Sequence, residues 1–293
     1  MPVDDPPFPD HSGAWPADGE ASSASSGPRY TRERKLGAGG MGEVWEARDP
    51  VLRRAVALKV VRPDLPESER IRLVREARIT ASLDHPGIVP VFDAGEDADG
   101  QPWFAMRVVR GRSLADAIRD AETDEARLDL LPAVLAACDA VAFAHAAGVV
   151  HRDLKPDNIH VGPHGEVQVM DWGLARAPDE DPAWSDVLSR LGTKTRAGIV
   201  LGTPAWMSPE QARGGAVTPA SDVWSLGLIL YEVVSGRRGY AAPSAEQVIS
   251  QLLAGPPPAL DAAPPELAAL VDMALRHDPA ERYPDAGALA ADL

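Results

Sequence analysis

His151-Arg152-Asp153-Leu154-Lys155-Pro156-Asp157-Asn158 decides how this chain is read. A carboxylate, an ammonium and an amide fall within six positions of one loop. Asp153 can accept a hydroxyl proton, Lys155 can neutralise a phosphoryl group in transfer, and Asn158 can ligate Mg²⁺ through its side-chain oxygen. Thirteen residues after Asn158, Asp171-Trp172-Gly173 follows a short strand-like run, Val167 to Met170, and offers a second carboxylate for the metal.

Toward the N-terminus lies Gly37-Ala38-Gly39-Gly40-Met41-Gly42. A strand pattern follows it (Val44, Trp45, Ala47), so the glycines join two antiparallel strands. Such a turn lets backbone N–H groups approach a phosphate closely. By itself it also reads as an ordinary hairpin. Ala55 to Val61 is a short apolar strand with Lys59 embedded in it. A lysine there is costly unless paired. Glu76 is the expected partner, on a helix running from Pro66 to about Leu83 with Ile71, Val74 and Ala77 at three-residue steps. A lysine snorkelling at a strand edge is the other reading.

Two further strands are expected near Val89–Ala94 and Trp103–Val108. After Gly111 the pattern turns helical. Ser113 caps a helix over Leu114–Asp120, and Leu128–Ala147 forms a long helix stopped by Gly148. Short strands flank 159–170, and a long loop runs from Asp171 to Glu210. Helices are expected at Ser221–Gly236, around Gln247 and at Glu266–Arg276. The fold class is therefore α+β, with a sheet-rich lobe (about 30–106), a linker (about 107–110) and a helical lobe (about 111–293).

The chain has 293 residues, with 29 Lys+Arg against 44 Asp+Glu, a formal charge of −15. Such a balance repels phosphate polyanions and argues against nucleic acid or an anionic membrane as partner. The single cysteine, Cys138, rules out an intramolecular disulfide and a cysteine-built zinc site, and fits a cytoplasmic location. The stretch Val134–Val150 is interrupted by Asp139 and His145, so no membrane segment is expected. Residues 1–28 hold six prolines, five acidic residues and no Lys or Arg, and are expected to be disordered.

The order and spacing of these pieces, with Gly202-Thr203-Pro204, Ser208-Pro209-Glu210, Ser221-Asp222-Val223-Trp224-Ser225-Leu226-Gly227 and Arg282, resemble the protein kinase family over about residues 30–293. Bacterial eukaryote-like Ser/Thr kinases are the nearest likeness. The resemblance implies a two-lobed kinase fold, a five-stranded sheet with one helix over a helical lobe, and a role in signalling. It implies transfer of the ATP γ-phosphate to Ser/Thr hydroxyls of protein substrates. Gly37, Gly39 and Gly42 would cover the phosphates. Leu36, Val44 and Ala57 would enclose the adenine with Met106, Val108 and His160. Lys59, paired to Glu76, would hold the α/β-phosphates. Asp153 would be the base, Lys155 the γ-phosphate clamp, and Asn158 and Asp171 the ligands of Mg²⁺ or Mn²⁺. Thr203 would contact Asp153 and Lys155. Glu210 and Arg282 would form a buried ion pair, and Asp222 would brace the catalytic loop. Arg152 would pair with a phosphate on Thr193 or Thr195, placed by autophosphorylation in trans through a transient homodimer.

Some positions depart from the pattern. Trp172 replaces the usual Phe and brings an N–H that needs a partner. Ser208 replaces an Ala. His160 falls where an aliphatic residue usually lies beneath the adenine. The segment from Asp171 to Glu210 is long, and the chain stops at Leu293 inside the expected last helix. His145 and Cys138 read as core. Two other readings stand beside the active kinase. A catalytically weak or inactive scaffold would have lost Lys59, Asp153, Asn158 or Asp171. A small-molecule phosphotransferase would not need the Thr203 and Ser208-Pro209-Glu210 segments.

Overall fold

The computed structural model describes residues 29–39, 42–175 and 204–293. The expected tail at 1–28, the turn tip Gly40-Met41, and Thr193, Thr195 and Thr203 lie outside the described residues.

Five strands form the first sheet: β1 (Thr31–Gly39), β2 (Gly42–Asp49), β3 (Arg54–Val60), β4 (Val91–Glu96) and β5 (Pro102–Met106). Their order is β1-β2-β3-β5-β4, antiparallel throughout. The alternation along β3 explains its two buried faces. Val56, Leu58 and Val60 pack outward with Tyr30, Ala47, Trp103 and Ala105. Ala57 packs inward with Leu73, Ala77, Phe104 and Met106 beneath helix α1 (Glu67–Ser82). Lys59 shares that inward parity and is thereby aimed at α1. The buried ridge of α1 is Leu73, Glu76, Ala77, Ile79 and Thr80. Ile71 and Val74, expected inside from their spacing, are only partly buried. The three-residue steps located the helix, but of the three residues only Ala77 falls on its inner face.

Beyond residue 111 the chain is mainly helical. Strand β6 (Arg112–Ser113) leads into α2 (Leu114–Asp120), and Ser113 caps it by accepting from Asp116 N–H. A short helix not expected from the sequence, α3 (Asp124–Leu128), capped by Thr123, precedes the expected helix 128–147, which is α4 (Leu131–Ala146), with Pro132 in its first turn. Proline is tolerated there because its missing N–H lies in the unpaired first turn. Strands β7 (Ile159–Val161) and β8 (Val167–Val169) complete a small sheet with β6. Helices α5 (Pro209–Ala212), α6 (Pro219–Ser235), α7 (Ala245–Ala254), α8 (Pro265–Ala274) and α9 (Ala286–Asp292) follow.

Helix α6 is buried almost all round and forms the axis of this lobe. It packs on α3, α4, α8 and α9. The stretch Asp124–Ala146 is long and apolar enough to cross a bilayer by length and composition. In the fold its Val134, Ala137, Cys138 and Val141 are fully buried in the lobe core. Burial pushes the Cys138 thiol up to about 12, as expected of an inert core residue.

Candidate active site

The glycine hairpin, α1 and the β7–β8 region enclose a cavity of about 440 Å³. Gly37, Gly39, Gly42 and Val44 line its roof, Met106 its inner wall and His160 its floor. The three glycines do different work. A Cβ on Gly37 or Gly39 would meet nothing within 4 Å, so their backbone faces open space. A Cβ on Gly42, at φ +155°, would stand 2.1 Å from the Val60 carbonyl oxygen. Gly42 lets β2 press against β3, whereas Gly37 and Gly39 leave a cradle that side chains would fill. Leu36, Ala57 and Val108 do not line the cavity. Leu36 is 39% exposed, and Ala57 is buried beside Met106, its partner across β3 and β5.

Lys59 closes the polar end. Its Nζ lies 2.6 and 2.7 Å from the two Glu76 oxygens and 3.6 Å from Asp171 Oδ1. Burial opposes the ammonium, but Glu76 and Asp171 outweigh it and hold the Lys59 pKa above its ordinary value. Burial raises the Glu76 carboxyl, with Lys59 opposing and the Asp171 charge adding to the rise. Two carboxylates around one ammonium leave a net negative site, suited to a further cation.

The catalytic-loop residues converge from one short segment. Lys155 Nζ donates to Asp153 Oδ2 at 2.8 Å, and Asn158 Nδ2 donates to the Asp153 carbonyl at 2.9 Å. The latter bond fixes the amide and leaves Asn158 Oδ1 as its acceptor. Asp171 Oδ1 is buried with no hydrogen-bond partner. The described residues hold no cluster of three His, Cys, Asp or Glu able to bind a metal alone. One amide oxygen and one under-satisfied carboxylate fit a hard divalent ion completed by phosphate oxygens, not zinc.

Asp222 on α6 holds this loop from below. Its oxygens accept from the backbone N–H of His151 at 2.7 Å and of Arg152 at 2.9 Å. The turn requires it, because Arg152 sits at φ 72°, a left-handed conformation costly for arginine. Gln211 of α5 donates to the Arg152 carbonyl at 2.8 Å. His145, expected only as core, contacts Asp222 Oδ2 through Nε2 at 2.9 Å. Its Nδ1 accepts from Ala286 N–H at 3.2 Å, which assigns the proton to Nε2. Burial raises the Asp222 carboxyl, but His145, His151 and the Arg152 N–H outweigh it and hold it below the usual range.

The Trp172 N–H finds its partner in the Val169 carbonyl at 3.3 Å, and the ring lies 4.6 Å from that of His151. His151 Nε2 meets the Met170 carbonyl at 3.0 Å, while its Nδ1 accepts from Asp153 N–H at 3.3 Å. Trp172 also packs under α1, so the loop, the Asp171 turn and Glu76 are mechanically joined. Burial lowers the His160 imidazole pKa, with Asp116 and Asp157 opposing, so the floor is neutral at pH 7. Farther off, Arg282 forks onto both Glu210 oxygens at 2.9 Å. Gln211 and His145 escaped sequence reasoning because their partners lie 59 and 77 residues away, where no local pattern reports them.

A hairpin cradle, a buried Lys–Glu pair, an acid–lysine–amide loop and a metal-ready aspartate around one cavity define a phosphotransferase of the two-lobed kind. The protein kinase domain model matches residues 30–291, and the chain belongs to the protein kinase family. It is 39% identical over 271 residues to the serine/threonine-protein kinase PknA of Mycobacterium tuberculosis, covering 89% of this chain and 60% of PknA. It is 40% identical over 271 residues to the DNA damage-responsive serine/threonine-protein kinase RqkA of Deinococcus radiodurans, covering 90% of this chain and 39% of RqkA. With the serine/threonine-protein kinase PknD of Chlamydia caviae the identity is 36% over 286 residues, 90% of this chain and 31% of that protein. The chain thus spans 60%, 39% and 31% of these relatives' lengths.

Proposed function

We propose that the chain is an ATP-dependent protein serine/threonine kinase using Mg²⁺ or Mn²⁺. The supporting observation is that Lys59, Glu76, Asn158 and Asp171 line one cavity beneath an open glycine cradle, with Asp153 and Lys155 joined to each other and to Asn158 by hydrogen bonds within the same loop. Nothing in this set is missing, as an inactive scaffold would require.

In this reading the Gly37 and Gly39 backbone covers the nucleotide phosphates, and Lys59, held by Glu76, grips them. Val44 and Met106 bury the base against His160. Asn158 Oδ1 and the Asp171 carboxylate would hold the divalent ion, which would supply neutralisation of phosphate charge. Asp153 Oδ2 orients the acceptor hydroxyl and takes its proton. Lys155, now on Asp153, turns its ammonium to the group in transfer. Phosphoryl transfer depends on such positioning and charge stabilisation more than on covalent chemistry by the protein.

The test is phosphate incorporation from labelled ATP into a protein substrate. Asp153→Asn is expected to lower the rate by roughly 10²–10⁴-fold with nucleotide binding retained. Asp171→Ala is expected to abolish transfer, as is excess EDTA. Wild-type rates for Asp153→Asn, in material free of other kinases, would overturn the assignment.

A further inference from the structure

Helix α5 is a single turn anchored at two points. Glu210 is held by the fork of Arg282 and by Ser221 Oγ at 2.6 Å. Ser208, the N-cap, is fully buried, and its hydroxyl accepts from the Gln211 N–H at 3.4 Å. Gln211 therefore projects from a fixed base. Its side chain spans from this helix to the catalytic loop. Oε1 accepts from the Ser208 backbone N–H at 3.0 Å, and Nε2 donates to the Arg152 carbonyl at 2.8 Å. Turned over, the amide would set oxygen against carbonyl and NH₂ against N–H, so the two partners assign one orientation. A carboxylate in its place would only accept, and a thioether would serve neither partner.

The bond to Arg152 falls at a sensitive place. The Arg152 carbonyl belongs to the peptide plane that ends at the Asp153 Cα. The N–H of that plane, on Asp153, is held by His151 Nδ1 at 3.3 Å, near the long limit of a hydrogen bond. Asp222 secures the N–H groups of His151 and Arg152, and neither lies in this plane. Arg152 itself is left-handed, at φ 72°, a conformation that its surroundings must maintain. A tilt of the Arg152–Asp153 plane swings the Cα–Cβ bond of Asp153, and with it the carboxylate that Lys155 meets at 2.8 Å.

We propose that Gln211 is a positioning residue for phosphate transfer: it fixes the Arg152–Asp153 peptide plane from α5 and so sets the direction in which Asp153 presents its carboxylate. The part played by Asp153 rests on the kinase reading above, whereas the clamp on its peptide plane does not. Gln211 does not line the cavity, so its effect falls on transfer and not on nucleotide binding.

The experiment compares Gln211→Met, Gln211→Asn and Gln211→Glu with wild type in the full chain. Transfer to an exogenous Ser/Thr peptide is read as kcat and as KM for ATP. Amide hydrogen exchange is followed by mass spectrometry over residues 150–154 and over α6. Gln211→Met keeps the volume and loses both bonds; its kcat is expected to fall roughly 10- to 100-fold, with KM for ATP within about twofold of wild type. Gln211→Glu sets a carboxylate against the Arg152 carbonyl and is expected to fall furthest. Gln211→Asn keeps the chemistry one methylene short and is expected to lie between Gln211→Met and wild type. Exchange over 150–154 is expected to rise about tenfold in Gln211→Met while α6 stays as in wild type. A kcat for Gln211→Met within about twofold of wild type overturns the proposal. Unchanged exchange over 150–154 overturns it whatever the rates. So does a matched loss of kcat, ATP affinity and α6 protection, which marks a structural role. Faster exchange over 150–154 alone, in a protein whose wild type transfers no phosphate, sustains the clamp and overturns the kinase reading instead.

Discussion

Two buried ion pairs, one in each lobe, are chemically alike and physically opposite. Lys59–Glu76 joins β3 to α1 at the cavity edge, and a third charge, Asp171, stands 3.6 Å from the same ammonium. Glu210–Arg282 joins α5 to the segment before α9. There the guanidinium forks onto the carboxylate and also donates to the carbonyls of Ala220, Arg276 and His277. Ser221 adds a hydrogen bond to Glu210 at 2.6 Å, and Trp224 lies beneath the guanidinium. The pKa directions record the contrast. Burial raises both carboxyls, and it prevails at Glu76; at Glu210 the bonds from Arg282 and Ser221 prevail and the carboxyl is depressed. The first pair is left short of charge balance beside a cavity, ready for a ligand. The second is satisfied internally and serves architecture.

Removing Arg282 should produce the largest stability change. Arg282→Met strands Glu210 and leaves three carbonyls short of a donor, for a loss of about 3–5 kcal/mol in denaturant unfolding. A loss no greater than that of a surface arginine would erase the distinction between the pairs. Lys59→Met should cost less, about 1 kcal/mol, because Glu76 can take up a proton in place of its partner. Its effect should appear in kcat/KM instead, as a fall of roughly 10²–10⁴-fold. Retained activity with heavy destabilisation would exchange the roles assigned to the two pairs.

The subtlest difference should be in pH dependence. A depressed carboxyl such as Glu210 contributes stability that is present above its unfolded pKa, about 4.3, and lost as pH falls through the lower folded value. The raised Glu76 has the opposite sign, with its contribution present below the unfolded value and lost as pH rises through the folded one. Stability of Glu210→Gln should therefore approach that of wild type on acidification, and that of Glu76→Gln should approach or exceed it on neutralisation. Parallel curves for the two variants would show that the pairs do not differ in this way.

Most of the fold was legible because strand and helix periods are local. The alternation in Ala55–Val61 placed Lys59, and Ser113 marked a helix start that the structure keeps to the residue. Strand β6 is two residues long and carries no period to read. Helix α3 is five residues of mixed polarity, too short to carry a period, and Pro132 was a signal that α4 begins near Leu131 rather than at Leu128. Within the site, the motif residues were found by spacing along the chain. His145 and Gln211 were not, since each acquires its importance from a neighbour supplied by tertiary packing.

Asp171 sits at φ 63° and ψ 65°, left-handed for a residue with a side chain. A backbone held there carries about 1–3 kcal/mol of strain. In isolation that energy would tilt a two-state equilibrium about 5- to 150-fold toward a relaxed geometry. Burial of Trp172 and the attraction of Lys59 oppose it. Any molecule that grips the Asp171 carboxylate therefore acts as a latch: its affinity is discounted by whatever fraction of chains has relaxed, and its binding sets the occupancy of the strained turn.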